Sequence, residues 1–228
     1  MATNRPARPS TARPATGVWL LPTVRTLFAL LGFSALVTEI ATLAARHRFN
    51  AGNFFSYFTV ESNTLAVICL IVSAFAAAAG RQSRQLDFFR GAVTLYMTTV
   101  ILIFIVLLSG YPSSDLTAVP WDNTVLHYIM PIVLMVDWLL ADRPITVPFN
   151  RAVSWLVVPL AYLAYSLIRG PVVHWYPYPF MDPSRHGYLG IAITSVVIAV
   201  VLAAITWLLA CARRWQPVAL LLPRAAGR

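Results

Sequence analysis

The stretch GYLGIAITSVVIAVVLAAITWLLAC, from Gly187 to Cys211, decides the fold, because its 25 consecutive residues include no charged side chain. At 1.5 Å of rise per residue, a helix of this length crosses the roughly 30 Å hydrocarbon core of a bilayer. Working outward, five more stretches qualify or nearly do: Val24–Ala45, Phe54–Ala79, Gly91–Leu108, Val125–Ala141 and Val153–Ile168. The last two are short and contain Pro131 and Pro159. Proline is tolerated in a span where neighbouring helices satisfy the freed carbonyls. The expected fold is all-α, a polytopic transmembrane bundle of six helices.

Composition agrees with this reading. Of 228 residues, 59% are hydrophobic and only 11% charged, with a mean hydropathy of +0.71. A soluble domain carries roughly 25% charged residues, so the apolar surplus here is expected to face lipid. Basic residues outnumber acidic ones 17 to 8, and every basic residue is Arg. They lie in short clusters between apolar runs instead of along one face, so the charge reports topology and not nucleic-acid binding. Cys69 and Cys211 fall inside apolar runs without metal-type spacing, which gives no disulfide framework, and neither metal nor cofactor is expected.

Orientation follows from the arginines. The N-terminal side (Arg5, Arg8, Arg13, Arg25), the second loop (Arg81, Arg84, Arg90), the fourth loop (Arg143, Arg151) and the C-terminal tail (Arg213, Arg214, Arg224, Arg228) hold 13, against four (Arg46, Arg48, Arg169, Arg185) in the odd loops. The positive-inside rule puts both termini in the cytoplasm. Trp121 and Trp175 then mark the outer interface, and Trp138, Trp155 and Trp215 the inner one. The segment before Trp19 lacks the apolar run of a secretory signal. The expected organisation is a disordered cytoplasmic tail over 1–18, one transmembrane domain over 19–215 and a second tail over 216–228. All-Arg usage and abundant Ala suggest a GC-rich bacterial genome and hence the inner membrane.

Ionisable and amide side chains inside spans are costly and mark function. Glu39 lies late in the first span, Thr59-Val60-Glu61-Ser62-Asn63-Thr64 opens the second, and His127 opens the fourth. With the first span running outward and the second and fourth inward, these three share one depth near the outer surface. Asp137 lies about 15 Å deeper than His127, and Arg143 or Arg151 is its expected partner. Thr59 and Asn63, four residues apart, share a helix face, while Glu61 points nearly opposite. The fifth loop, His174-Trp175-Tyr176-Pro177-Tyr178-Pro179-Phe180, is aromatic and proline-rich. It reads either as a lid folded over the outer mouth or as an interfacial anchor. No GxSxG elbow, HExxH pair, glycine-rich phosphate loop or SxxK dyad is present.

Three motifs occur in order: Phe55-Ser56-Tyr57-Phe58-Thr59-Val60-Glu61-Ser62-Asn63, then His127-Tyr128-Ile129-Met130-Pro131 running to Asp137, then Trp175-Tyr176-Pro177-Tyr178-Pro179-Phe180. Together they resemble the androgen-induced-protein family of six-helix membrane proteins, and more closely its bacterial integral membrane branch. Animal members hydrolyse fatty acid esters of hydroxy fatty acids with an intramembrane Thr and His. The resemblance implies that Thr59 and His127 are the equivalents of that pair, with a fatty acyl ester as substrate and the lipid bilayer as partner. Here four residues lead from His127 to Pro131, one fewer than in the animal pattern. One residue turns a helix by about 100°, so the facing of His127 is left open by the sequence.

The chemistry implied is acyl transfer, with Thr59 as nucleophile and His127 as general base. Helical spacing suggests Asn63 as an oxyanion donor, and Glu39 or Glu61 as the group orienting the histidine. The competing reading is a non-catalytic membrane protein, a small transporter or a scaffold, in which these residues form a structural polar network. A Thr59 hydroxyl within about 4 Å of a His127 ring nitrogen, beside an opening to lipid, favours the hydrolase.

Overall fold

The computed structural model describes residues 16–81, 83–111, 117–140 and 147–212. Most of the N-terminal tail, the whole C-terminal tail, Arg143 and Trp215 lie outside the described residues. Every element among the described residues is helical. Helix α1 spans Thr16–Ala45, a short α2 spans Ala51–Phe54, and α3 spans Phe58–Ala78. Helix α4, Arg84–Ile103, continues through a π turn, Phe104–Leu108. Helix α5, Pro120–Thr124, passes through a second π turn, Val125–Ile129, into α6, Met130–Leu139. Helix α7, Phe149–Ala152, leads by a 3₁₀ turn into α8, Val157–Val173, and α9 is Pro183–Ala212.

Among the described residues, five helical stretches are long and apolar enough to cross a membrane: Trp19–Ala45, Phe58–Ala78, Arg84–Leu108, Phe149–Val173 and Pro183–Cys211. The fourth of the six expected spans is not among them. Its helical stretch runs from Pro120 to Leu139, but Asp122, Asn123, His127 and Asp137 dilute its apolar character. It packs against α4, α1 and α3 within the bundle.

Local chemistry moves several boundaries. Helix α4 starts seven residues before the expected Gly91, because the Ser83 hydroxyl accepts a hydrogen bond from the Leu86 amide at 3.1 Å and caps it. The approach to α3 separates as α2, capped by the Asn50 side chain accepting from the Asn53 amide at 3.0 Å. Within α9, Gly187 adopts φ +62°, a left-handed conformation that breaks the first turn from the rest.

Two apolar clusters share α3 and α4. One gathers α1, α3, α4 and the second π turn around Leu70, Val93, Met97, Met130 and Leu134. The other joins α3 and α4 to α8 and α9 around Leu95, Val100, Trp138, Trp155 and Tyr162. Outside these clusters, α1, α8 and α9 leave large side chains bare, among them Leu27, Phe33, Val196 and Val200. In water such a surface would be an association hazard; against hydrocarbon it is the natural exterior.

Of the two partners expected for Asp137, Arg143 lies outside the described residues, and the ion pairs of Asp137 among the described residues are with other arginines than Arg151. Its Oδ1 accepts from Arg25 Nε at 2.7 Å and its Oδ2 from Arg90 Nη2 at 2.6 Å. Arg90 also donates to Asp87 Oδ1 at 3.1 Å, and Arg25 to the Ser73 carbonyl at 3.1 Å. Arg25 and Arg90, two of the arginines counted above as loop charges, are therefore buried in a cluster of two cations and two carboxylates. Desolvation makes such a cluster tolerable only when charges balance and hydrogen bonds are filled, and here α1, α4 and α6 meet to do so.

Candidate active site

Thr59 stands in the first turn of α3, where backbone amides have no carbonyl one turn back to bond. The approach to that turn is tied down firmly. The Ser56 hydroxyl bonds the Gly52 carbonyl at 2.6 Å and Tyr165 Oη at 2.8 Å, while Tyr162 Oη donates to the Ser56 carbonyl at 2.9 Å. Arg169 reaches Asn53 Oδ1 at 2.7 Å. Thr59 is thereby presented at a fixed position and is buried.

His127 meets it from the second π turn. Thr59 Oγ1 lies 3.3 Å from His127 Nε2, and His127 Nδ1 lies 3.1 Å from the Asn123 carbonyl. A carbonyl oxygen only accepts, so Nδ1 carries the proton and Nε2 is the lone-pair nitrogen facing the threonine hydroxyl. Phe104 stacks on the imidazole with centroids 4.2 Å apart, fixing the ring plane. The arrangement matches a nucleophile, a base and a group orienting the base. The orienting group is a backbone carbonyl rather than a carboxylate.

The histidine therefore has no nitrogen left for the acids expected to orient it. Glu39 accepts the Ala118 amide on both carboxylate oxygens, at 2.8 and 3.0 Å. Asp122 is wholly buried at the head of α5, outside the apolar spans, and burial with Glu39 beside it pushes its carboxyl up to about 8. Glu61 is half-buried on another face of α3. Asn63 is also differently employed: its Nδ2 donates to the carbonyls of Thr59 at 2.9 Å and Leu126 at 3.1 Å. Both amide hydrogens are thus spent, and the oxyanion role suggested by spacing has no donor to draw on.

The fifth loop folds back over the site. Trp175 packs edge-on against Tyr57 and lies 5.4 Å beneath the Arg169 guanidinium. The Tyr176 ring occupies the space a side chain at Gly170 would need, so only glycine lets this loop lie so close to α8. Tyr178 goes deepest: its hydroxyl accepts the Thr59 amide at 3.2 Å and sits 3.3 Å from Thr59 Oγ1. His174 alone among the lid candidates takes no part. It ends α8 in the left-handed region at φ +51° and is exposed.

Beside Thr59 an open apolar cleft runs between α4, α8 and α9. Phe58, Val100, Ile103, Leu160, Tyr162 and Ile198 are among its walls. A second cleft shares Thr99, Ile103, Thr194, Ile198 and Leu202 with it and extends the groove between α4 and α9.

Sequence reasoning reached Thr59 and His127 but missed Asn123, Phe104 and Asp122. Asn123 acts through its backbone, which carries no residue signal; Asp122 was detectable as an acid at the depth of Glu39. Comparison with known proteins finds no family model, no curated protein and no solved structure similar to the chain. What the fold defines is the class: an all-helical, multi-pass integral membrane protein.

Proposed function

We propose that this chain is an intramembrane threonine hydrolase that cleaves fatty acyl esters. The observation that carries the reading is the line Thr59 Oγ1, His127 Nε2, His127 Nδ1 and Asn123 carbonyl, with steps of 3.3 and 3.1 Å, at the head of an apolar cleft. The resemblance of three sequence motifs to the androgen-induced-protein family supports the same assignment. In this reading the fourth expected span, beginning at Val125, crosses the membrane as the sixth spanning helix, both termini are cytoplasmic, and the site lies in the outer leaflet of a bacterial inner membrane.

The ester carbonyl stands over Thr59 with its acyl chain in the cleft. His127 Nε2 takes the hydroxyl proton as Oγ1 bonds to the carbonyl carbon, giving a tetrahedral oxyanion. Collapse breaks the bond to the leaving oxygen, which receives the proton from His127 Nε2. Water then attacks the acyl-threonine, giving a proton to His127, which returns it to Oγ1 as the acid departs. The neutral Asn123 carbonyl holds the tautomer without adding a charge to stabilise the imidazolium.

A second reading, a non-catalytic scaffold with a structural polar network, draws on the buried cluster of Arg25, Asp137, Arg90 and Asp87. The test is ester hydrolysis by purified protein in detergent over a panel of lipophilic esters, with fluorophosphonate labelling. Hydrolysis lost in both Thr59→Ala and His127→Ala, and a label mapped to Thr59, supports the hydrolase. Activity unchanged in both variants removes it.

A further inference from the structure

We propose that Tyr178 is a catalytic residue, supplying the oxyanion donor of the reaction with its hydroxyl, which the Thr59 backbone amide polarises and orients. The inference rests on the hydrolase reading above and assigns the donor that Asn63 is unable to provide.

The Thr59 amide is one of the helix-terminal N–H groups without a partner inside α3, and its hydrogen points to the Tyr178 oxygen at 3.2 Å. That hydroxyl accepts from the amide, so its own proton is available to a second acceptor. In the resting site the acceptor within reach is Thr59 Oγ1, at 3.3 Å, whose hydrogen is directed to His127. When Oγ1 bonds to carbon, its lone pair loses basicity, while the former carbonyl oxygen gains negative charge a bond away. The Tyr178 proton turns from the first oxygen to the second. Donor strength is thus directed to the transition state and not to the bound ester, the condition for raising kcat instead of merely tightening binding. Tyr178 donates a hydrogen bond throughout and transfers no proton, so the proton balance remains that of Thr59, His127 and water.

Its surroundings suit the task. Tyr178 stacks on Phe180 at 5.3 Å and meets Tyr57 edge-on at 5.8 Å, which fixes the ring. Burial pushes its phenol up to about 12, keeping the donor protonated at working pH. Its loop places it in the wall of the cleft beside Thr59.

The experiment compares Thr59→Ala, His127→Ala and Tyr178→Phe in full-length protein, with kcat and KM measured on one long-chain ester. Tyr178→Phe is expected to lower kcat about 100- to 1,000-fold, as removal of one oxyanion donor does, with KM within about twofold. If Tyr178→Phe keeps kcat within about threefold while the other two variants are inactive, the role of Tyr178 is overturned and the hydrolase reading survives. If all three remain active, both fall. A second measurement guards against loss of packing: difluorotyrosine at position 178 preserves the ring and hydroxyl but makes the phenol more acidic. The alkaline limb of kcat is then expected to move to lower pH by a unit or more. An unmoved limb assigns Tyr178 a packing role only and overturns the proposal.

Discussion

Asn63 Nδ2 donates at 3.1 Å to the carbonyl of Leu126, an oxygen that the helix itself leaves free. In an α-helix the Met130 amide would bond that carbonyl, but in the π turn it bonds the Val125 carbonyl instead. Asn63 fills the vacancy and with its other hydrogen ties down the Thr59 carbonyl at 2.9 Å. One side chain thus links the turn bearing the base to the turn bearing the nucleophile. Asn63→Leu keeps the volume and removes both bonds. Two buried carbonyls lose partners, so thermal unfolding in detergent is expected to show a loss of about 1–3 kcal/mol. A displacement of His127 by about 1 Å is expected to lower ester hydrolysis about 100-fold. Stability loss without an activity loss beyond it would separate Asn63 from the site.

This link also marks where the sequence stops being readable. Apolar runs expose helices α1, α3, α4, α8 and α9, because lipid demands some twenty apolar residues in a row whatever the contacts. Thr59 and His127 stand out because polar groups are rare in such runs. The π turn is invisible in Val125–Ile129, since it depends on Pro131 lacking an amide and on Asn63 arriving from another helix. The same is true of Arg25 and Arg90, which read as loop charges by position yet are buried against Asp137. Pairing across helices is a tertiary fact, and single-residue polarity does not encode it.

The pair formed by Asp122 and Glu39 has a definite pH signature. The Asp122 carboxyl is raised to about 8 by burial and by Glu39 beside it, so the folded protein holds a proton that the unfolded chain releases near pH 4. Stability from this group is complete below pH 4 and falls as pH rises toward 8. Asp122→Asn keeps the side-chain shape beside Glu39 without a titrating group. Relative to the native protein its melting temperature is expected to improve steadily between pH 5 and 9. A difference independent of pH would contradict a protonated Asp122.

The deep ion cluster is expected to couple its members energetically. Asp137→Leu leaves Arg25 and Arg90 facing one remaining carboxylate, Asp87, and is expected to destabilise the protein by about 3–5 kcal/mol. Adding Arg25→Leu restores balance, because Arg90 keeps its 3.1 Å contact with Asp87. The double variant is therefore expected to be more stable than Asp137→Leu alone. Additive losses across this cycle would argue against a shared network.

The groove between α4 and α9 is expected to set chain-length preference. Ile198 lines both of its parts, so Ile198→Trp shortens the space beyond Thr59 without touching the reacting groups. Excluding two or three methylenes at about 0.8 kcal/mol each lowers kcat/KM for a long-chain ester about 10- to 50-fold. A butyrate ester, which ends before the obstruction, is expected to be cleaved within about twofold of the native rate. Equal losses on both esters would place the acyl chain elsewhere.

Orientation is open to direct measurement through the loops. In a background with Cys69 and Cys211 replaced by alanine, single cysteines at His174 and Arg81 report opposite ends of the bundle. His174 is exposed at the end of α8, beside the aromatic loop that covers Thr59, and Arg81 is exposed just after α3. The arginine bias places the first outside and the second in the cytoplasm. A membrane-impermeant maleimide applied to intact cells or spheroplasts is expected to label His174→Cys at once and Arg81→Cys only after lysis. The reverse pattern would move Thr59 and His127 to the inner leaflet. The buried Arg25 and Arg90 would then have to be discounted from the charge count, since a side chain neutralised by Asp137 no longer reports which side of the membrane it faces.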